Sequence, residues 1–170
     1  MTGFALSRNN VVILPSLSVF IVNFIFLFSA NNANKFFIYD QKYFDKIDQI
    51  SNKKFYGVFI KDELIAGGIF FLNQNNALYH LGASKKEYQQ YGLSNLYMHE
   101  ASIDMLEQGV KYINLGGGRS QDKSDGLFRF KKNNSTDLKK FNIGKRIIND
   151  EIYSILIHKF KNLKQNNDKF

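Results

Sequence analysis

Three consecutive glycines, Gly116–Gly118, directly follow a short apolar run at residues 112–115. Glycine loses much conformational freedom on folding, so a triplet at a strand end is favoured where the backbone needs unusual dihedral angles or where a ligand approaches it closely. Ligands of α/β proteins often bind outside the carboxyl ends of strands. The triplet therefore indicates a ligand-binding backbone or an ordinary glycine-rich turn. It matches neither of the nucleotide-loop patterns GxGxxG and GxxxxGK[ST].

A second candidate binding element is the segment Gln89–Ser94, at the start of a long helical pattern. A helix N-terminus offers free N–H groups and the positive end of the helix dipole, and both favour a phosphate. The spacing of Gln89, Gly92 and Ser94 approaches Q-x-x-G-x-G/A, with serine in the small last position. Because glycine before a helix is common, the signal gains weight only from its position after a β-meander.

Side chains for other chemistries are missing or scattered. The chain has no cysteine, which excludes disulfides, thiolate metal sites and cysteine nucleophiles. The three histidines, His80, His99 and His158, form no HExxH or other metal-ligand spacing, so we expect no metal site. No GxSxG motif occurs. We interpret His80 as a hydrogen-bonded core or edge residue rather than a general base.

The net charge of +8 is concentrated near the C-terminus. From Phe128 onward there are 11 Lys or Arg against 4 Asp or Glu, whereas the preceding residues carry 12 against 11. Such a basic region attracts the phosphates of a nucleotide cofactor, an RNA or an anionic lipid surface. A solvated basic face with no partner explains the charge equally well.

Three strand-like runs precede the segment Gln89–Ser94 and would position it. Residues 55–60, 64–72 and 77–83 are apolar and are joined by short polar turns, which predicts an antiparallel β-meander. Gly67 and Gly68 in the middle run indicate a bulge or a close backbone contact. Apolar residues at helical spacing predict a helix over residues 35–50, before the meander.

A long helix predicted over residues 88–109 follows the meander, and the strand at 112–115 comes after almost no loop. A helix that connects two strands makes them parallel, or at least neighbours in one sheet. The pattern then predicts a short helix at 126–132, a strand at 138–143 and a final helix at 151–163. The fold class is therefore mixed α/β, with one domain over residues 35–165 and a polar tail at 166–170.

Residues 1–34 differ in composition from the rest. Residues 11–28 are almost wholly apolar and reach the lower length limit for a membrane span. They also fit the apolar part of a secretion signal, or a segment foreign to the domain that arose from a truncated gene or a shifted reading frame. The three interpretations remain open.

The order of a β-meander, a turn close to Q-x-x-G-x-G/A, a long helix and a further strand resembles the core of the GNAT acyltransferase superfamily. The resemblance covers roughly residues 30–160 and is closer to its FemABX-like branch, the peptidoglycan-bridge aminoacyltransferases and the BioF2-like acetyltransferases. It resembles the second, C-terminal GNAT-like domain of proteins that usually carry two, so a truncated or inactive chain is a further interpretation. The matching segments are Tyr79–Ala83, Glu107–Gly109, Leu115–Gly118, Asp125–Leu127, Phe130-Lys131 and Phe141–Lys145, with Phe36–Tyr39 and Tyr43-Phe44 upstream.

The resemblance implies transfer of an acyl or aminoacyl group from acyl-CoA or aminoacyl-tRNA to an amine, with no permanently bound cofactor. The implied acceptor is a cell-envelope precursor, either a peptidoglycan peptide or a surface-polysaccharide amino sugar. The amine would attack the carbonyl directly, so catalysis rests on positioning and on stabilising the oxyanion.

The resemblance also assigns residues. Lys131 would be catalytic, steadying donor phosphate or developing negative charge, although it also fits an ordinary surface cation. Gln89, Gly92 and Ser94 would bind the donor, and Gly116–Gly118 with Phe130 would contact substrate. The alternative functions are a plain acetyl-CoA-dependent N-acetyltransferase of a nucleotide-linked amino sugar and a non-catalytic binding module. The expected location is cytoplasmic, with membrane association through residues 11–28.

Overall fold

The computed structural model describes residues 8–14, 24, 39–118, 122, 124–140 and 142–167. The chain divides into two compact units, Met1–Asp137 and Leu138–Phe170. The first unit contains the sheet, three of the four described α-helices and every residue proposed above for the site. The second unit contains the remaining helix.

The first unit is built on a five-stranded sheet whose strands follow chain order, which confirms the predicted mixed α/β class. Strands β2 to β4 form the predicted antiparallel meander, and β1 adds antiparallel to β2. Strand β5 pairs parallel with β4, which confirms that the helix between them connects neighbouring strands of one sheet. The strands are β1 (Val11–Leu14), β2 (Lys53–Ile60), β3 (Glu63–Asn73), β4 (Asn76–Ser84) and β5 (Tyr112–Asn114).

Strand β1 comes from the apolar N-terminal segment. Its four residues pair with Phe55–Val58 of β2 and so supply a first strand that the sequence pattern did not reveal. Phe24 is buried and packs edge-on against Phe44. The rest of the apolar segment, residues 15–23 and 25–28, lies outside the described residues. Among the helices that are described, none is long and apolar enough to cross a membrane.

Four α-helices are described: α1 (Gln41–Asp48), α2 (Leu93–Glu107), α3 (Gly126–Asn133) and α4 (Asp150–Asn167). Helix α1 begins after Asp40, whose side chain accepts a hydrogen bond from the Tyr43 N–H. The prediction of one continuous helix over residues 88–109 is wrong at its N-terminal end. A 3₁₀ turn, Lys86–Tyr91, precedes α2, and Gly92 separates the two with a left-handed φ of 65°.

The sheet is covered on both faces. Helix α2 packs on one face through Leu93, Tyr97, Met98, Ala101 and Met105, all buried. The other face packs against Phe24 and the α1 residues Phe44 and Ile47. Burial of one large apolar side chain contributes about 1.5–3 kcal/mol, so these two apolar layers hold the sheet between the helices.

Strand β4 changes the layer into which it packs halfway along its length. Across β3, Ile69 pairs with Leu81 and Phe70 with Tyr79, so His80 is an extra residue in a β-bulge. As a result, Ala77 and Tyr79 pack in the α2 layer, whereas Leu81 and Ala83 pack in the α1 layer. Because of the bulge, the odd-numbered residues of β4 pack in the α2 layer before residue 80 and in the α1 layer after it.

The second unit consists of an extended segment followed by α4. The predicted strand at 138–143 is wrong, because the described residues between 138 and 149 form no strand. Leu138 and Ile143 are 58% and 71% exposed, so the apolar side chains at these two positions are not packed in a core. Helix α4 begins after Asn149, whose side chain accepts a hydrogen bond from the Ile152 N–H.

Candidate active site

The candidate site lies where β4 and β5 part. Their pairing covers only Asn76–Leu78 and Tyr112–Asn114, although β4 continues to Ser84. Strand β5 ends because the Asn114 side chain accepts a hydrogen bond from the Gly116 N–H at 2.8 Å, and Gly116 adopts a left-handed φ of 69°. We call the opening along this edge of β4, beyond Leu78, the β4–β5 wedge.

Helix α3 carries Lys131 to this wedge. The Asp125 side chain caps the helix by accepting hydrogen bonds from the N–H groups of Leu127 and Phe128. Lys131 is half-buried, and its Nζ donates a hydrogen bond to the Gly117 carbonyl at 2.8 Å. The same Nζ lies 5.8 Å from the centre of the Tyr79 ring on β4. Lys131 therefore bridges the triple glycine and the open edge of β4.

Burial lowers the pKa of Lys131 from its ordinary value, and the nearby Asp125 carboxylate opposes that shift. Burial disfavours the charged ammonium, whereas the carboxylate and the Gly117 carbonyl favour it. An ammonium that is half removed from water interacts more strongly with a negative charge brought beside it. The arrangement suits stabilisation of an anion at the wedge.

Each glycine of the triplet has different surroundings. A Cβ on Gly118 would lie 2.8 Å from Phe128 Cβ and 2.9 Å from Asp125 Oδ2, so a side chain there would push α3 away. A Cβ on Gly116 would come within 3.4 Å of Lys131 Nζ. A Cβ on Gly117 would meet no atom of the described residues within 4 Å. The triplet thus holds α3 close while the backbone at Gly117 stays open.

Two buried tyrosines connect β4 to α2 beside the wedge. The hydroxyls of Tyr79 and Tyr97 are 2.8 Å apart and hydrogen-bonded. Burial is the main cause that raises the pKa of both phenols, so both remain protonated at physiological pH. They fit because Gly68 and Gly82, which pair across β3 and β4, leave the space that the rings occupy. The close contact expected at Gly68 is therefore present, against the ring of Tyr97.

The predicted phosphate turn lies at the start of α2. Gln89 is exposed, and its carbonyl accepts a hydrogen bond from the Gly92 N–H. The first N–H groups of a helix have no acceptor within the helix. Ser94 is half-buried, and its side chain hydrogen-bonds to the hydroxyl of Tyr97. The turn therefore offers backbone N–H groups to an anion, while the serine hydroxyl is already engaged.

The structure brings some of the predicted residues together and keeps others apart. Lys131 and the glycine triplet are in contact, and the Phe130 ring lies 6.4 Å from the Tyr79 ring. The phosphate turn is connected to this group through Ser94 and the pair Tyr97 and Tyr79. No direct contact between Gln89 and the triplet is present among the described residues.

A cleft of about 630 Å³ lies between α2, β5 and the C-terminal end of α3. Met98 and Ser102 line it from α2, Ile113 lines it from β5, and residues 132–137 close its far side. At the end of α3, Asn134 Nδ2 donates hydrogen bonds to the Phe130 carbonyl and to Asn95 Oδ1 in the first turn of α2, both at 2.9 Å. The cleft is large enough for part of an extended ligand.

His80, in the bulge of β4, lies against the α1 layer. Its Nε2 is 2.6 Å from the Tyr43 hydroxyl of α1, and its ring packs on Phe71. Burial lowers its pKa below the ordinary value, which favours the neutral imidazole. The hydrogen-bonded histidine favoured by the sequence is what the structure contains.

Sequence reasoning missed the structural members of this site. Asp125 could have been recognised as a helix cap, because an aspartate stood directly before a predicted helix. Tyr79 and Gly82 lie in a segment that resembles the family, but neither they nor Tyr97 carried a signal of a role in the site. Each is one aromatic or glycine residue within an ordinary strand or helix, and only the tertiary contact brings the three together.

Comparison with protein-family models matches the FemAB family over residues 39–143, more than half of the chain. No curated protein matches the sequence significantly. One similar solved structure is an aminoglycoside acetyltransferase from an uncultured soil metagenomic sample, in complex with trehalose. It is 14% identical with a TM-score of 0.62, and the match covers 83% of this chain and 98% of that one.

Two further structures have the same fold. The ribosomal-protein-S18-alanine N-acetyltransferase from Escherichia coli is 16% identical with a TM-score of 0.56, over 70% of this chain and 74% of that one. The ribosomal-protein-alanine N-acetyltransferase from Brucella melitensis is 12% identical with a TM-score of 0.62, over 86% and 100%. At these identities the likeness concerns the fold, and it confirms the GNAT fold that the resemblance implied. The chain therefore belongs to the FemAB family and is an acyltransferase with the GNAT fold.

Proposed function

We propose that this protein transfers an acyl group from acyl-CoA to the amine of a cell-envelope precursor, a peptidoglycan peptide or an amino sugar of a surface polysaccharide. The observation that carries the proposal is the Lys131 ammonium at the mouth of the β4–β5 wedge, hydrogen-bonded to Gly117 beside an edge of β4 that β5 leaves free. FemAB membership and the N-acetyltransferase names of the structural relatives support transfer to nitrogen.

The donor would enter along α2. Its phosphates would bind in the turn that Gln89, Gly92 and Ser94 form, at the N–H groups that begin α2, where the positive end of the helix dipole compensates their charge. The left-handed Gly92 keeps that turn free of a side chain. The cleft between α2 and α3 would accommodate the rest of the carrier.

The acyl carbonyl would lie in the wedge, against the open backbone of Gly117 and beside Phe130. The amine nitrogen attacks the carbonyl carbon, a C–N bond forms, the C–S bond breaks, and CoA leaves as the thiolate while the amine proton passes to solvent. No covalent enzyme intermediate is required, which agrees with a chain that has no cysteine. Negative charge develops on the carbonyl oxygen and then on sulfur, and Lys131 is the cation that would stabilise both.

The first test is binding of the donor, measured by calorimetry with acetyl-CoA and separately with aminoacyl-tRNA. The proposal expects a micromolar signal with acetyl-CoA and none with the charged tRNA. The reverse result would assign the aminoacyl donor that the FemABX resemblance also implies. Absence of binding by either donor to a folded sample would favour the non-catalytic binding module and overturn the proposal.

The second test is turnover with an amino-sugar acceptor by Lys131→Ala and by a matched control, Arg129→Ala. Both variants remove one cation from α3, but Arg129 is exposed and Lys131 is half-buried at the wedge. Loss of a group that stabilises the oxyanion lowers kcat on the order of a hundredfold or more. We expect this loss for Lys131→Ala and near-normal turnover for Arg129→Ala. Equal activity of the two variants would remove Lys131 from the mechanism.

A further inference from the structure

The second unit contains an amphipathic helix with an exposed apolar face. In α4, four apolar residues recur at intervals of four, four and three positions, which places them on one side of the helix. Each of the four is more than half exposed, at 56–64%. These residues, which we call the α4 apolar face, are Ile152, Leu156, Phe160 and Leu163.

Helix α4 has 18 residues, and most helices in proteins owe their stability to packing of an apolar face rather than to helix propensity. A contiguous exposed apolar surface generally marks a binding surface. The α4 apolar face therefore requires a covering partner. The charges around it indicate what that partner is.

The charge of this unit is strongly positive. Residues 138–170 contain 8 Lys or Arg and 3 Asp or Glu, so they contribute +5 of the net charge of +8. Lys159 and Lys161 directly flank Phe160, and successive residues of a helix project about 100° apart. By this angle Lys159 lies at the edge of the α4 apolar face and Lys161 lies on the polar side of the helix, and basic residues placed in this way are typical of helices that lie in a membrane interface.

We propose that α4 lies on an anionic lipid surface, with its apolar face inserted among the acyl chains and its lysines against the lipid phosphates. An anionic surface compensates the positive charge and covers the apolar face at the same time. A second copy of this chain would cover the apolar face but would bring two units of charge +5 together. An RNA would neutralise the lysines but would leave the apolar side chains in water. The proposal does not depend on the proposed function, because it concerns binding and not turnover.

The test is co-sedimentation of the full chain with two kinds of vesicle, phosphatidylcholine alone and equal parts of phosphatidylcholine and phosphatidylglycerol. We expect binding to the anionic vesicles, little binding to the neutral ones, and weaker binding as salt is added. Each lysine near an anionic surface strengthens binding about fivefold. Lys159→Gln and Lys161→Gln together should therefore weaken binding about 25-fold.

Two double variants with the same change in charge separate the apolar face from simple electrostatics. Leu156→Asp with Phe160→Asp inserts two carboxylates into the apolar face, and Ser154→Asp with Asn162→Asp inserts two on other sides of the helix. We expect the first pair to abolish binding and the second to weaken it only as two added charges would. Circular dichroism and the unfolding midpoint verify that both variants remain folded.

Three results would overturn the proposal. The first is equal loss of binding in the two double variants, which would mean a purely electrostatic contact. The second is failure to bind anionic vesicles at low salt. The third is a dimer, detected by light scattering without lipid, that only the Leu156/Phe160 variant dissociates, because a second copy would then be the partner of the face.

Discussion

The substitution Gly82→Ala gives the most direct test of the candidate site, because it fills the space that the tyrosine pair Tyr79 and Tyr97 occupies. A Cβ on Gly82 would lie 1.9 Å from the Tyr79 hydroxyl oxygen and 2.3 Å from that of Tyr97. Both distances are far below van der Waals contact, so the two hydroxyls cannot stay where they are. Tyr97 is fully buried and has little room to move.

The cost has two parts. Overpacking of a well-packed interior costs about 1–3 kcal/mol, and loss of a buried hydrogen bond between the hydroxyls adds about 1 kcal/mol. We therefore expect Gly82→Ala to lower the free energy of unfolding by about 2–4 kcal/mol, measured by urea denaturation. For a chain of this size that corresponds to a drop in Tm of roughly 4–16 °C.

A control and a rescue sharpen the test. Gly126→Ala adds the same methyl group at a helical position where no atom in the described part of the chain lies within 4 Å, so it should be neutral or slightly stabilising. Removal of the Tyr79 hydroxyl in Gly82→Ala/Tyr79→Phe relieves the shorter contact and should restore at least about 1 kcal/mol. A Gly82→Ala protein that loses less than about 0.5 kcal/mol, the usual range for a surface substitution, would refute the close packing described here.

Three other outcomes follow from the structure. Asp104 accepts hydrogen bonds from Lys54 and Tyr56; partial burial raises its pKa, but these bonds outweigh it and the net pKa lies below the ordinary value. The stability that the Asp104 carboxylate contributes is therefore present above about pH 4 and is lost as the pH falls through the lowered pKa. In urea titrations, Asp104→Asn should thus lower the free energy of unfolding by about 1–2 kcal/mol at pH 7 and should not change it at strongly acidic pH. Gly92→Ala and Gly109→Ala each strain a glycine of left-handed φ, at opposite ends of α2. Only Gly92→Ala should weaken acetyl-CoA binding, by about tenfold. Equal acetyl-CoA affinities of the two variants would argue against a phosphate at the N-terminus of α2. Because burial lowers the pKa of Lys131, the wild-type kcat should fall on the alkaline side below the usual lysine pKa, and Lys131→Arg should abolish that decline in a pH–rate profile.

The meander and α2 were predictable because their sequences contain the information locally. The apolar runs of β2 to β4 are separated by short polar turns, and the α2 stripe repeats at helical spacing. The break at Gly92 was not foreseen, since a glycine at the start of a helix fits both a continuous and an interrupted helix. Residues 138–143 have a strand-like composition, but a strand also requires a neighbour, and β5 is only three residues long.

The lysine and the glycines of the candidate site could be predicted from the sequence, but the tyrosine pair beside them could not. Lys131 and Gly116–Gly118 were identified from residue type and family resemblance, and the structure places them in contact. The Tyr79–Tyr97 pair joins residues 18 positions apart, which no local pattern encodes. Strand β1 was hidden for another reason: a short apolar strand inside a longer apolar run has no boundary that the sequence can mark.

The extra residue at position 80 decides which layer the second half of β4 enters. If β4 kept its length but paired without a bulge, it would alternate strictly, and Leu81 and Ala83 would face the α2 layer together with Tyr79. Deletion of His80 would instead place Leu81 directly after Tyr79 and still opposite Ile69, so both apolar layers would keep their residues. Relatives of this chain that lack one residue at this point can thus be expected to keep the same two layers around a regular β4.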